Sequence, residues 1–451
     1  MGYRLPRTLW ASATLLLFST TAAWAQDPQD SSLHLTLRQA MGMAVTHHVQ
    51  VQLALEQAQE ATARAEEARA ALRPAVGFNS YQMRQTQNLR AMGLALPGFP
   101  TLIGPFNTFD ARVQFTQQIL DLVHVHEASS AQTGVEVARL EATARAQQIA
   151  GAAGLAYLAV QQTLESVKAA QANETLSQHL LQLTRDQLKS GLATGVDEVR
   201  AAASEAQVAY QLQQALGAAK DATTRLHRAL GLPLDLPIEL TDPLGIVPAS
   251  SPDGGDAVDR ALQQRPELQA LEKTLEQRVT EKEAAVAASY PTIGLIGAIG
   301  PSGVLPTQYD YRTYSYGIQM SVPLYQGGAL VARQDQAESR RRQAELSLKD
   351  GRHQVEEDVR LAEDSLNTSR AQVKAAQLRL DLAQRLMQQA QDRFVSGVAD
   401  NLEMVDAQAG LAQARSDQIG ALGGLGMAQV NYDLALGQIT YETPTQPESL
   451  P

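Results

Sequence analysis

The residues in this 451-residue chain that could do chemistry are few, and their spacing withholds most of it. His47-His48 and His124-x-His126 carry the right atoms for a metal. Neither pair has a third histidine or a carboxylate at the spacing a site needs, so no metal or cofactor is expected. With no cysteine there is no thiolate ligand, disulfide or cysteine nucleophile. Gly420, Gly423, Gly424 and Gly426 lie in helix-forming sequence, with no strand before them and no Lys-Ser/Thr after. They therefore read as sites of close helix approach or bending, not as a phosphate loop. Glu356-Glu357-Asp358 reads as a solvated helix face. Nucleophile elbows and zinc-protease helices are missing, so the chain is not expected to be an enzyme. A net charge of −11 argues against a nucleic-acid partner.

The elements come next. Arg4 and Arg7 precede the apolar run Leu9 to Ala23, closed by Ala23-Trp24-Ala25, so residues 1–25 read as a secretory signal peptide. No other run reaches the ~18 apolar residues of a membrane helix. Prolines are missing from Phe106 to Leu232 and from Leu324 to Thr443, both rich in Ala, Gln, Leu, Glu and Arg. Helices are predicted at about 37–72, 122–189, 197–230, 258–288, 329–395 and 402–437. The two long ones would each reach about 100 Å. Each pair of short helices sums to roughly one long helix, which favours short rods stacked end to end along a long one over a globule.

Of the 17 aromatics beyond residue 25, 12 fall in residues 74–120 and 290–325, where alternation marks strands. Ala111, Val113 and Phe115 alternate with Arg112, Gln114 and Thr116. Tyr314, Tyr316, Ile318 and Met320 alternate with Ser315, Gly317, Gln319 and Ser321. Strands are predicted at about 75–90, 109–120, 291–300 and 311–324, with loops at 91–108 and 301–309. Two arrangements fit: a small sheet packed on a helix, or a membrane barrel wall with Val113, Phe115, Tyr314, Tyr316, Ile318 and Met320 facing lipid. Four strands cannot close a membrane barrel, so the second arrangement requires several chains to share one.

The chain is one unit written twice. Ser190-Gly191-Leu192-Ala193 recurs as Ser396-Gly397-Val398-Ala399, an offset of 206, which persists to Ala229-Leu230-Gly231 against Ala435-Leu436-Gly437. Earlier the offset is 217, pairing Ala44-Val45 with Ala261-Leu262 and Arg73-Pro74 with Tyr290-Pro291. Each half reads helix, strand, strand, long helix, helix. The first repeat spans 26–231 and the second 258–437. Residues 232–257 read as an irregular equatorial linker, and 438–451 as a mobile tail.

These residues resemble the TolC family of outer-membrane efflux proteins. The resemblance rests on Asp392-Arg393-Phe394-Val395-Ser396-Gly397-Val398-Ala399-Asp400-Asn401-Leu402-Glu403, on Ala261-Leu262-Gln263-Gln264-Arg265-Pro266, and on Val322-Pro323-Leu324-Tyr325-Gln326-Gly327-Gly328. It implies a mainly α protein with a small transmembrane β part. Three copies would build a twelve-stranded barrel in outer-membrane lipid, continued by a long periplasmic α-barrel. It further implies a periplasmic membrane-fusion adaptor and an inner-membrane pump of the RND or ABC type as partners. The adaptor would meet the hairpin tips: Gly191, Leu192, Thr194, Gly195 and Asp197, with Gly397, Val398, Ala399, Asp400 and Asn401. Glu403 and Asp406 match the carboxylates lining the entrance; spaced i, i+3, they share a helix face, and rings of carboxylates favour cations. Where the best-known member has a locking arginine in the second tip, this sequence has Ala399. The function implied is a passive exit duct for multidrug efflux or type I secretion; the rival reading is a periplasmic coiled-coil structural or adaptor protein. Fractionation separates them: the duct is recovered from outer membranes only with detergent, whereas a freely soluble protein defeats that reading.

Overall fold

The computed structural model describes residues 33–94, 98, 100–245, 256–396 and 401–442. The expected signal peptide, the centre of the second tip (397–400) and most of the expected tail lie outside them. The first half runs β1 (Leu33–Leu35), α1 (Leu37–His47), α2 (Val49–Ala70), β2 (Ala75–Asn88), β3 (Leu102–Leu120), α3 (Leu122–Lys189) and α4 (Gly195–Leu230). The second follows with β4 (Ile238–Leu240), α5 (Ala257–Gln264), α6 (Pro266–Ala287), β5 (Thr292–Leu305), β6 (Gln308–Ser321), α7 (Ala329–Val395) and α8 (Asn401–Ala435).

The 68 residues of α3 and 67 of α7 make rods of about 100 Å. Helices α2 and α4 lie along α3, α6 and α8 lie along α7, and α3 also packs on α6 and α8. Small residues permit this close lateral packing: Ala142, Ala146, Ala150 and Ala153 are buried along α3. Gly423 of α8 approaches Gln162 so closely that a Cβ would stand 2.7 Å from its Oε1. Apolar burial is split into clusters along the rods, around Leu226 and Tyr157, Leu268 and Tyr432, and Leu180 and Phe394. Ion pairs stitch neighbouring rods, such as Lys273 with Glu136 at 2.9 Å and Lys282 with Glu338 at 3.0 Å. Arg341 and then Lys282 hold the Glu338 carboxyl down to about 2. This stitch is therefore intact above the ordinary glutamate range and lost only as pH falls toward that value.

Two expected single helices are broken, at equivalent places. Arg265 leaves the helical region (φ −67°, ψ 119°) because Pro266 follows it. His48, related by the same 217 offset, is equally extended (φ −71°, ψ 126°) with no proline nearby. Its break is a tertiary feature. The left-handed cap Gly231 lies against it, leaving only 3.0 Å between a would-be Cβ and the His47 carbonyl oxygen. Gly437 lies against Arg265 in the same manner, at 3.2 Å.

The expected irregular linker holds a strand: β4 pairs in parallel with β1, Leu33 opposite Ile238. Buried Tyr157 anchors this pair from α3, donating to the Leu35 carbonyl at 2.9 Å and to Asp242 Oδ2 at 3.3 Å. The four aromatic-rich strands also outrun expectation. They form one antiparallel sheet in the order β2-β3-β5-β6. Most of the loop expected at 301–309 is strand, because Pro301 sits where the β3–β5 ladder is interrupted and needs no N–H donor there.

At that interruption β3 and β5 nearly touch. A Cβ on Gly300 would stand 1.9 Å from the Ala111 carbonyl oxygen and 2.7 Å from Arg112 Cα. Gly300→Val should therefore lower the yield of folded protein, at an overpacking cost of ~1–3 kcal/mol. Gly77→Val, which meets nothing within 4 Å, should leave the yield unchanged. Immunoblots of the two variants after limited proteolysis make the comparison.

Candidate functional site: the sheet wall and the hairpin tips

Strand alternation and register sort the sheet into two faces. Phe78, Val113, Ile299 and Tyr314 form one cross-strand row; Val76, Phe115, Gly297 and Tyr316 form the next. Ile318 opposite Leu295 and Met320 opposite Ile293 continue the same face. The face is apolar yet open: Phe78 is 72% and Tyr316 84% exposed, and the Tyr314 and Tyr316 rings stack at 6.2 Å. Phe115 is half-buried. Gly77, Gln114, Ala298 and Ser315 share a row of the other face, where Arg112 Nε donates to Asp110 Oδ2 at 2.9 Å. No helix packs substantially on this sheet among the described residues, which removes the sheet-on-helix arrangement. The outer strands β2 and β6 each present an unpaired backbone edge.

Beyond the far ends of the rods lie the tips, whose helix ends repeat one another. Ser190 Oγ donates to the Asp186 carbonyl at 2.9 Å, and Ser396 Oγ to the Asp392 carbonyl at 2.7 Å. Gln182 and Gln388 donate to the same two aspartates' carboxylates. Gly191 turns the first tip in the left-handed region (φ 73°) and leaves Leu192 81% exposed. Helix α4 begins at Gly195, two residues earlier than expected, through a capping box. Asp197 Oδ2 accepts from Thr194 N at 2.9 Å and from Thr194 Oγ1 at 2.6 Å, while Asp197 N donates to Thr194 Oγ1 at 3.4 Å. Thr194's hydroxyl, then its N–H, hold the Asp197 carboxyl below the ordinary aspartate value. In the second tip Gly397, Val398, Ala399 and Asp400 lie outside the described residues; Asn401 opens α8.

Glu403 and Asp406 occupy the first turns of α8. Asp406 is exposed, whereas Glu403 is half-buried and takes Arg393 Nε at 3.2 Å. Met404 between them is fully buried with Leu180 and Phe394, so packing orients this part of α8. Spacing alone did not reveal a link between the two hairpins: Arg415 of α8 donates to Asn173 Oδ1 of α3 at 2.8 Å. No motif marks it; only the fold brings two polar residues 242 positions apart together.

The other singled-out residues are engaged structurally. His124 Nδ1 meets Asp121, the cap of α3, at 2.6 Å, and His126 meets Glu283 of α6 at 3.3 Å. Asp358, expected on a solvated face, instead takes Arg265 Nη1 at 2.8 Å. The solvated reading fails there because the break at Arg265 turns a guanidinium onto α7.

The described residues thus combine an open apolar sheet face with rods of about 100 Å. Comparison with known proteins finds the same architecture elsewhere. Residues 257–438 match the outer membrane efflux protein family. The alkaline protease secretion protein AprF of Pseudomonas aeruginosa is 28% identical over 272 residues, 58% of this chain and 56% of AprF. The probable efflux pump outer membrane protein TtgC of Pseudomonas putida is 28% identical over 275 residues, 58% of this chain and 55% of TtgC. The chain thus spans about half the length of the curated relatives it matches. Among solved structures, the Campylobacter jejuni CmeC outer membrane channel superposes with a TM-score of 0.81 at 15% identity, covering 91% of this chain and 87% of CmeC. The outer membrane protein VceC of Vibrio cholerae gives 0.78 at 18% identity, covering 89% and 96%. Over its second repeat the chain is thus similar to the outer membrane efflux protein family, and its fold is that of solved outer-membrane channels.

The capping box allows a local test. Thr194→Ala removes a cap that contributes about 1 kcal/mol, so amide exchange at Val196–Glu198 should quicken about fivefold. Because the Asp197 carboxyl is held low in the native state, its contribution is present above the ordinary aspartate range. It fades as pH falls through the lowered value, so wild type and variant should converge in acid.

Proposed function

We propose that this chain is one subunit of an outer-membrane exit duct. The duct passively conducts substrates from a periplasmic adaptor and an inner-membrane pump of the RND or ABC type, in multidrug efflux or type I secretion. The observation that carries the proposal is the sheet: an apolar face left open, with both edges unpaired, continuous with long helical rods. In lipid an unpaired strand edge is untenable, so copies must join edge to edge. Three copies give twelve strands, a homotrimer being the family's arrangement. Val113, Phe115, Tyr314, Tyr316, Ile318 and Met320 then face lipid, and the Arg112–Gln114 face lines the lumen. The two repeats, 26–231 and 258–437, supply equivalent halves of each subunit around the 232–257 linker.

The adaptor docks on the tips, at Gly191, Leu192, Thr194, Gly195 and Asp197, and at 397–401. Exposed Leu192, Val196 and Val199 offer it an apolar surface. Glu403 and Asp406 ring the entrance, with Arg393 setting the Glu403 side chain. The duct performs no catalysis; its work is to exclude and to conduct. A periplasmic coiled-coil adaptor, the rival, has no use for a wide apolar sheet face open to its surroundings.

Planar-bilayer recording tests this function. The purified protein should form cation-preferring pores. The double variant Glu403→Ala, Asp406→Ala should lose most of that preference while still conducting. Absence of any conductance would defeat the duct; unchanged selectivity in the double variant would remove these two residues from the constriction.

A further inference from the structure

The apolar face of the sheet ends in charge. On β2 the parity that turns Val76 and Phe78 outward runs on through Ser80 and Gln82 to Arg84, with no register shift before it. On β6 the parity of Tyr316 and Tyr314 runs on to Arg312, opposite Pro301. Between the rods and these two residues the face carries no other charged side chain. Asp310, the next acidic residue of β6, lies further from the rods, at the register shift.

The two arginines stand at one height. Arg84 is nine residues from Ala75, where β2 leaves the rods, and Arg312 is nine from Ser321, where β6 returns to them. That length of strand extends about 30 Å. At the ~40° tilt of membrane barrels it rises about 23 Å, against an apolar band about 25 Å tall. A charge is costly at the middle of such a band and tolerated at its ends. The arginines therefore mark the rim remote from the rods, which in a duct with periplasmic rods lies in the outer leaflet.

Nothing within the chain neutralises them. Arg112, on the opposite face, has Asp110 at 2.7 Å. Arg84 and Arg312 are exposed, with no ion-pair or hydrogen-bond partner among the described residues. A planar guanidinium presents parallel N–H donors that match phosphate oxygens, and its hydrocarbon stem can lie along apolar surface with the head at the polar boundary. A cationic belt at the rim of a lipid-facing wall, in a chain of net charge −11, is suited to anions at the lipid boundary. In the outer leaflet those anions are the phosphates of its glycolipid. We propose that Arg84 and Arg312 hold the headgroup phosphates of the outer-leaflet glycolipid and so fix the height of the barrel in the membrane. This inference rests on the duct reading, which turns the face to lipid.

The test reads lipid retention by native mass spectrometry on the full-length protein in non-ionic detergent, with lipid A, lipid A stripped of its phosphates, or phosphatidylglycerol added. The wild type should retain lipid A, release the dephosphorylated form, and favour lipid A over phosphatidylglycerol. Arg84→Gln with Arg312→Gln should weaken lipid A retention about tenfold, through loss of hydrogen bonds to a charged group. Arg84→Lys with Arg312→Lys, which keeps the charge, should recover part of it. Equal retention of lipid A and its dephosphorylated form by the wild type overturns the proposal whatever the variants do. Retention unchanged in the glutamine pair overturns it as well, and phosphatidylglycerol held as tightly as lipid A overturns the assignment to the glycolipid. Conductance of the wild type in planar bilayers without a lipid A preference sinks this inference alone; absence of conductance sinks the duct and this inference with it.

Discussion

A β-sheet in lipid has to pair every backbone N–H and C=O, since no water is there to do it. This chain brings four strands, and β2 and β6 each leave one edge open. That deficit governs the rest of the molecule. Under the proposed function, further copies complete the sheet edge to edge and its apolar face stays open to lipid. The helical part carries the same logic in another form. Apolar residues along α4 and α7, among them Tyr210, Leu216, Leu378, Leu382 and Leu386, are likewise exposed.

Stability in such a chain is distributed along its length. Separate clusters follow one another along the rods, and none is a globular core. Between them, alanine contacts and single ion pairs hold helices at close range. This distribution suits a wall, which has to be thin and continuous, and it leaves each region to be fastened locally. At the equator the fastening is polar and buried: Tyr157 joins β1 to Asp242, and Gln161 donates to the Asp242 carbonyl. Burial, the largest effect, pushes the Tyr157 hydroxyl well above its ordinary range, so it remains a donor at any physiological pH. Near the tips the hairpins are joined by Leu180 packed among α7 and α8 and by the Arg415–Asn173 bond.

The duplication is visible in detail as well as in outline. His48 and Arg265 break equivalent helices and receive equivalent glycine caps, yet only one break is written locally, by Pro266. The other has no proline: the His48 ring caps α2 by accepting from Gln50 N at 3.2 Å, and Gly231 packs against the break. Ser190 and Ser396 close their helices with the same bond. The two halves thus reach the same geometry by different means.

Composition, periodicity and proline placement determined much by themselves: long rods where proline is missing, strands where aromatics alternate, and two repeats with offsets of 206 and 217. These are local properties, set by backbone propensity and by the period of the apolar pattern. Tertiary structure alone decided the break at His48, the strand hidden in the linker, the extension of β5 through Pro301, and the pairing of Arg265 with Asp358. It also decided which polar groups meet near the tips: Arg393 with Glu403 within the second hairpin, and Arg415 with Asn173 between the two. Each of these depends on residues brought together from separate elements. Proline and glycine signals mislead there, because a gap in a ladder tolerates the residues that elsewhere make a turn.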